Sequence, residues 1–236
     1  MSSAASNPQN GSADRPKVFC IGFMKTGTTS LGAALEVLGY RVAGPFGIHD
    51  PRIAEHAWPR AQEVLEHYDA VQDNPWPVLF TELDAAYPGS KFILSTRDLR
   101  SWIGSVERYF GPKYRTPMRD WIFGPADNEE RREKYLARYE RHTRKVRAHF
   151  AGRDGDLLEI DLSRDAGWGR LCSFLECPVP DAPFPSLNTS KSNARLSSVI
   201  GRKSRRLGRL LGLIPEPREC WPPVPRDADP TIPAPR

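Results

Sequence analysis

The chain has 236 residues, of which 39% are hydrophobic and 27% are charged. This length is sufficient for one domain with a substantial core, and this composition excludes a chain that is disordered throughout. No apolar run approaches the roughly 20 residues that a membrane-spanning helix needs. The formal net charge of +5 fits an anionic ligand, a nucleic acid or an anionic membrane surface, without choosing among them.

Residues 1–16 are small and polar and lack the apolar stretch typical of a signal peptide. We therefore predict a disordered tail at 1–16, a folded domain at 17–190 and a cytoplasmic location. The four cysteines have no metal-ligand spacing, so no metal site is predicted.

The stretch at residues 17–31 passes from an apolar segment through a turn rich in glycine and threonine into a helical pattern. In a strand–turn–helix unit of this kind, backbone N–H groups and a helix N-terminus converge on a phosphate. Gly22 and Gly27 have the spacing of a Walker A loop, but Thr28 stands where that motif requires lysine. The lysine instead lies inside the loop, at Lys25.

Strands and helices are predicted to alternate along the rest of the chain. The predicted strands are 40–43, 69–75, 91–96 and 157–162, and the predicted helices are 52–68, 77–87, 97–109, 128–150 and 168–175. Pro59 is expected to kink or split the first of these helices, and residues 111–127 are expected to be irregular.

This alternation predicts an α/β domain with a central, mostly parallel sheet. Ligands of such sheets bind outside the carboxyl ends of the strands. Lys25, Asp73 and Arg97 each follow a predicted strand, so we expect one cleft to hold all three.

The C-terminal part of the chain has a different composition. Residues 191–214 combine recurring apolar positions with arginine and lysine and contain no acidic residue, which predicts a basic amphipathic helix. It has three interpretations: packing over the cofactor cleft, docking on an anionic membrane surface, or binding nucleic acid. Its apolar stripe favours packing first. Residues 215–236 contain eight prolines and predict an extended Pro-rich tail.

The loop differs from that of a nucleoside triphosphatase, which needs a lysine and a hydroxyl residue after the last glycine for phosphate and magnesium. The segment Gly-Phe-Met-Lys-Thr-Gly-Thr-Thr-Ser-Leu resembles the 5′-phosphosulfate-binding loop of sulfotransferases. These enzymes have a P-loop-type three-layer fold, use 3′-phosphoadenosine 5′-phosphosulfate (PAPS) and need no metal. The resemblance implies that Lys25 contacts the phosphosulfate and its bridging oxygen. It also implies that the rest of the loop cradles the phosphate, through Thr26, Gly27, Thr28, Thr29 and Ser30.

A second segment resembles the 3′-phosphate site of sulfotransferases, which has an arginine at a strand end and a serine eight residues later. Arg97 and Ser105 occupy these positions, and an arginine fork suits phosphate oxygens. The alternative is that Arg97 pairs with Asp98 or another acid and that Ser105 is solvated.

Residues 168–188 resemble the late helix and Phe-Pro-x-x-Asn segment of sulfotransferase-fold proteins, so the resemblance spans roughly residues 17–188. The Arg-Lys-Gly element of cytosolic sulfotransferases is absent in that form, because Arg202 and Lys203 follow Gly201. The basic helix or Lys191 is then expected to cover the 3′-phosphate.

The base that activates an acceptor has two candidates. Asp73 follows a short predicted strand and precedes a proline turn. The chain most resembles a branch of short, soluble sulfotransferase-like proteins, and similar Asp-x-Pro elements occur in that branch. His49 lies in a Gly-Ile-His-Asp loop and has the better intrinsic pKa for work near neutrality. Both stay open, with Asp73 slightly preferred.

The resemblance thus implies a PAPS-dependent sulfotransferase that moves a sulfuryl group to an acceptor hydroxyl by metal-free in-line transfer and releases PAP. The expected acceptor is a small molecule or a glycan. No nucleic acid partner is expected, peripheral membrane contact through the basic helix stays open, and the oligomeric state is not indicated. The alternatives are a P-loop kinase or nucleotide hydrolase, and a non-enzymatic module of the same fold that binds membrane or nucleic acid.

Overall fold

The computed structural model describes residues 15–111, 114–125 and 130–187. The predicted basic helix at 191–214, the Pro-rich tail at 215–236 and nearly all of the predicted N-terminal tail lie outside these ranges. They stay predictions. Arg15 lies inside them, and its guanidinium donates hydrogen bonds to the carbonyls of Leu38 and Gly39 and stacks over the ring of Tyr40.

Strands and helices alternate through the described residues. The strands are β1 (Val18–Cys20), β2 (Val42–Ala43), β3 (Ala70–Val71), β4 (Lys91–Ser95) and β5 (Leu157–Ile160). The helices are α1 (Thr28–Val37), α2 (Ile53–His67), α3 (Phe80–Ala86), α4 (Leu99–Phe110), α5 (Pro117–Phe123), α6 (Arg131–His149) and α7 (Trp168–Phe174), with a 3₁₀ turn at Trp76–Leu79.

The five strands form one sheet in the order β2-β3-β1-β4-β5, and every pair is parallel. The prediction of a mostly parallel α/β sheet is therefore confirmed. The central strand β1 is fully buried, because helices cover both faces of the sheet. Successive side chains of β1 enter opposite cores: Phe19 packs with α2, α3 and α6, whereas Val18 and Cys20 pack with α1 and α7.

The order of the strands locates the edge of the sheet at which a ligand is expected to bind. β1 lies between β3 and β4, so the chain runs from β1 to β2 on one side of it and later crosses from β3 to β4 on the other. Residues that follow β1, β3, β4 and β5 line one crevice. Such a switch point is where open α/β sheets bind ligands.

One expectation about the helices was wrong, and the split expected at Pro59 does not occur. Residues 111–127 were expected to be irregular, but they contain α5, which has Thr116 as its N-cap and Pro117 in its first turn. Those two residues are a standard helix start. Pro59 does not split α2, which runs as one helix from Ile53 to His67. Within the described residues, no helix is long and apolar enough to cross a membrane.

Candidate active site

The crevice at the carboxyl edge of the sheet is a cleft of about 270 Å³. It brings together every site residue predicted from the sequence except His49. The predicted residues that line it are Lys25, Thr26, Gly27, Thr28, Thr29, Ser30, Asp73, Arg97 and Ser105. They come from the ends of β1, β3 and β4 and from the helices that follow β1 and β4.

Side-chain donors hold the loop between β1 and α1 through its carbonyl groups. The indole N–H of Trp102 donates to the carbonyl of Met24 at 2.8 Å, and the guanidinium of Arg97 donates to that of Lys25 at 3.3 Å. Two residues of the loop have positive φ, Lys25 at 67° and Gly27 at 99°. These hydrogen bonds therefore fix the backbone conformation of the loop at the cleft.

The N-terminus of α1 faces the cleft without a compensating negative charge of its own. Its N-cap, Gly27, offers no side-chain acceptor, and its first turn contains no acidic residue. The partial positive charge of a helix N-terminus favours an anion at this position.

The loop hydroxyls have different roles. Thr26 donates to the carbonyl of Phe23 at 2.7 Å and shares a 2.6 Å hydrogen bond with Ser95. The hydroxyl of Ser30 bonds to both the N–H and the carbonyl of Leu187. Both hydroxyls already donate to backbone carbonyls of the protein. Thr26 and Ser30 can therefore donate to a ligand only through their backbone N–H groups.

Arg97 lies at the end of β4 and pairs with no acid among the described residues. Asp98, the expected alternative partner, instead accepts a hydrogen bond from the N–H of Ser101 at 2.9 Å and caps α4. The backbone of Arg97 is fixed by Tyr139, whose hydroxyl bonds to both its N–H and its carbonyl. Its Nε is buried and has no hydrogen-bond partner within the part of the chain that the structure describes. A cation held in this way fits an anionic ligand.

Asp73 lies just after β3 and is partly buried at the wall of the cleft. Its carboxylate accepts hydrogen bonds from the N–H of Asn74 at 2.7 Å and from the hydroxyl of Thr28 at 3.3 Å. Burial raises the pKa of this carboxyl above its usual range, against the opposing effects of those two donors and of Lys25. A carboxylate with a raised pKa next to a cleft has the properties of a general base.

The ammonium of Lys25 is the second cation of the cleft that has no carboxylate within ion-pair distance in the described part of the chain. Burial lowers its pKa, nearby Asp73 raises it, and Arg97 and Arg108 lower it further. It contacts the ring of Tyr109, with 3.8 Å between Nζ and the ring centroid.

His49 is not brought to this site. It lies exposed in the loop that follows β2 and is not among the residues that line the cleft. The structure therefore places only one of the two predicted bases at the cleft.

Part of the cleft wall was not predicted from the sequence. Asp161, Leu162, Ser163 and Ala166 follow β5, and residues 184–187 return across α1, where Ser30 holds Leu187. Tyr109 and Phe110, at the end of α4, complete the wall. The position of Asp161 directly after β5 was a usable signal, whereas the return of residues 184–187 depends on packing after α7.

A family model described as a sulfotransferase domain matches residues 17–124 and 113–193. The chain belongs to the sulfotransferase family. The chain is also similar to the protein named "Ava biosynthesis cluster protein M" of Aspergillus versicolor, which is 30% identical over 223 residues covering 76% of this chain and 83% of that protein. The family match begins at Lys17 and contains the whole described cleft, so the family assignment applies to the residues that form the site.

No group of three or more His, Cys, Asp or Glu side chains suited to a metal ion occurs among the residues that the structure describes. The two carboxylates at the cleft, Asp73 and Asp161, are both engaged, and Asp161 accepts hydrogen bonds from the N–H and hydroxyl of Ser163.

Proposed function

We propose that this sulfotransferase-family protein transfers a sulfuryl group from PAPS to an acceptor hydroxyl and releases PAP. The observation that carries the proposal is the meeting of two cations, Lys25 and Arg97, in one cleft, where neither pairs with an acid of the described chain. The N-terminus of α1 lines the same cleft. PAPS carries phosphate groups at both ends of its ribose, and two separate cationic positions suit such a ligand.

Each residue then has a distinct task. The N–H groups at the start of α1 and the ammonium of Lys25 bind the 5′-phosphosulfate, and Arg97 with Ser105 binds the 3′-phosphate. Asp73 takes the proton of the acceptor hydroxyl as the new oxygen–sulfur bond forms. The bond between sulfur and the bridging phosphate oxygen breaks, and Lys25 stabilises the charge that remains on the leaving phosphate.

The relative's name assigns it to a biosynthesis cluster, which favours a small-molecule acceptor over a glycan for this chain. The direct test of the donor is calorimetric titration with PAP and, separately, with MgATP. We expect PAP to bind equally well with and without magnesium. Magnesium-dependent binding of ATP alone would instead support a P-loop kinase or hydrolase.

Replacement of Arg97 tests the 3′-phosphate site. Wild-type protein is expected to bind PAP about 10- to 100-fold more tightly than AMP, which lacks the 3′-phosphate, because a charged hydrogen bond contributes about 1.5–3 kcal/mol. Arg97→Ala should lose this preference and bind both nucleotides with similar affinity. Isothermal titration with the two nucleotides measures the ratio.

Arg100→Ala is the matched control, since Arg100 is exposed on the first turn of α4 and does not line the cleft. It should keep the preference for PAP. Equal affinity of the wild-type protein for PAP and AMP would overturn the assignment of Arg97.

Asp73→Asn tests the base. We expect kcat/KM to fall by about 10²- to 10⁴-fold, the usual contribution of general base catalysis. The acidic limb of the wild-type pH–rate profile should lie above the ordinary aspartate range, because burial raises the pKa of Asp73. The limb should be absent in the variant. His49→Gln is the control, and a loss of activity there with full activity in Asp73→Asn would reverse the assignment.

Asp73→Asn should lower activity but should not lower stability at neutral pH. A raised pKa means that the folded protein binds this proton more tightly than the unfolded chain does. The charged form therefore costs stability as pH rises above the usual aspartate pKa. Thermal unfolding should show the variant at least as stable as wild type at neutral pH. The difference should disappear in acid, where the wild-type carboxyl is protonated in both states.

A further inference from the structure

Tyr109 is a large aromatic residue that stays 62% exposed on the last turn of α4. It lies one helical turn beyond Ser105, so the two side chains share a face of α4. Both line the cleft. Its exposed ring lies directly against the Lys25 ammonium, 3.8 Å from Nζ to the ring centroid.

This contact matters because Lys25 has little else to hold it. Its backbone is fixed in the left-handed region, at φ 67°, and its carbonyl is held by Arg97. Its ammonium makes no hydrogen bond or ion pair with any other described residue. The positive charges of Arg97 and Arg108 repel it, and Asp73 attracts it. A four-carbon side chain in this field has several accessible rotamers.

We propose that Tyr109 is a positioning residue for Lys25: its ring holds the ammonium at the cleft, away from the Asp73 carboxylate. This inference rests on the proposed function, because it assigns Tyr109 to the step in which Lys25 acts. An ammonium that lies on one face of a ring keeps N–H donors directed away from that ring. Lys25 therefore remains available to an anion while Asp73 remains available to a proton.

The first test is made on the unliganded protein. An aromatic ring shifts the resonances of groups above its face upfield, so the ε-CH₂ protons of Lys25 should resonate upfield of the other lysines. They are observed by NMR after ¹³C-lysine labelling and are assigned with Lys25→Arg. Tyr109→Phe should keep the upfield shift, because it keeps the ring, and Tyr109→Leu should lose it.

The second test is kinetic. Tyr109→Leu should lower kcat by about 3- to 30-fold, the range expected for a lost cation–π contact, with little change in KM for the acceptor. The basic limb of the kcat profile should move to lower pH, because the ammonium loses the ring that stabilises it. Tyr109→Phe should restore both the rate and the limb.

The outcomes separate cleanly. Unchanged ε-proton shifts in Tyr109→Leu overturn the contact itself. Lost shifts with unchanged kcat and an unchanged basic limb overturn the positioning role. If the proposed function is wrong, wild type and all variants lack transfer activity. The positioning role is then rejected as well, but the ring-current shift of Lys25 persists.

Discussion

Replacing Lys25 by alanine is expected to lower kcat by about 10²- to 10³-fold or more, which is the usual cost of removing one preorganised donor from a developing negative charge. Lys25 is the only lysine among the residues that line the described cleft, and no other ammonium of that wall can replace it. PAP should bind less tightly, but by a smaller factor, because Arg97 and the N-terminus of α1 remain. Steady-state kinetics and calorimetry on the same preparation separate the two effects.

Lys25→Arg is the informative companion variant. It keeps the positive charge but presents a planar fork in place of a point charge, so an intermediate rate is expected. The fold should be unaffected in both variants, since the Lys25 side chain makes no hydrogen bond or ion pair within the described protein. Equal kcat in wild type and Lys25→Ala, with normal thermal unfolding, would show that Lys25 takes no part in the chemistry.

The sequence predicted the parts of the site that lie within single strand-to-helix connections. Lys25 and the turn up to Ser30 follow β1, and Arg97 with Ser105 follows β4. In each case the residues lie on one local unit, whose spacing determines which way the side chains face. That both units open onto one cleft follows from the parallel sheet, because parallel strands bring their carboxyl ends to the same edge.

The remaining wall depends on contacts between distant parts of the chain. Leu187 reaches the cleft because Ser30, 157 residues earlier, binds both of its backbone polar groups. No local motif encodes such a contact. The same applies to the hydroxyl of Thr26, which bonds the loop after β1 to Ser95 of β4.

The position of His49, outside the residues that line the cleft, has a different cause. Its intrinsic pKa suited a base, but residue type contains no information about position. The loop after β2 lies at the edge of the sheet, since β2 is the outermost strand next to β3. Asp73 follows β3, which is adjacent to the central strand, and it therefore lies at the switch point.

Gly22→Ala is expected to have the largest effect on stability. A Cβ at this position would lie 2.3 Å from the carbonyl oxygen of Ser95 and 2.9 Å from its nitrogen. These are backbone atoms of β4, which pairs with β1 through Cys20 and Ile93. The strands cannot separate without breaking the ladder, so we expect the free energy of unfolding to fall by about 3 kcal/mol or more. Urea unfolding followed by circular dichroism measures it.

Gly155→Ala is the matched control, because nothing lies within 4 Å of a Cβ added there. It should change the free energy of unfolding by less than about 0.5 kcal/mol. A Gly22→Ala protein as stable as this control would mean that β1 and β4 are not held at the distance described.

The clash at Gly22 also has a functional consequence. Ser95 is two residues before Arg97 and bonds to Thr26, so any shift that admits the methyl group displaces both anion-binding units together. Where Gly22→Ala still folds, its preference for PAP over AMP should therefore fall along with its stability, whereas the Gly155→Ala protein keeps both.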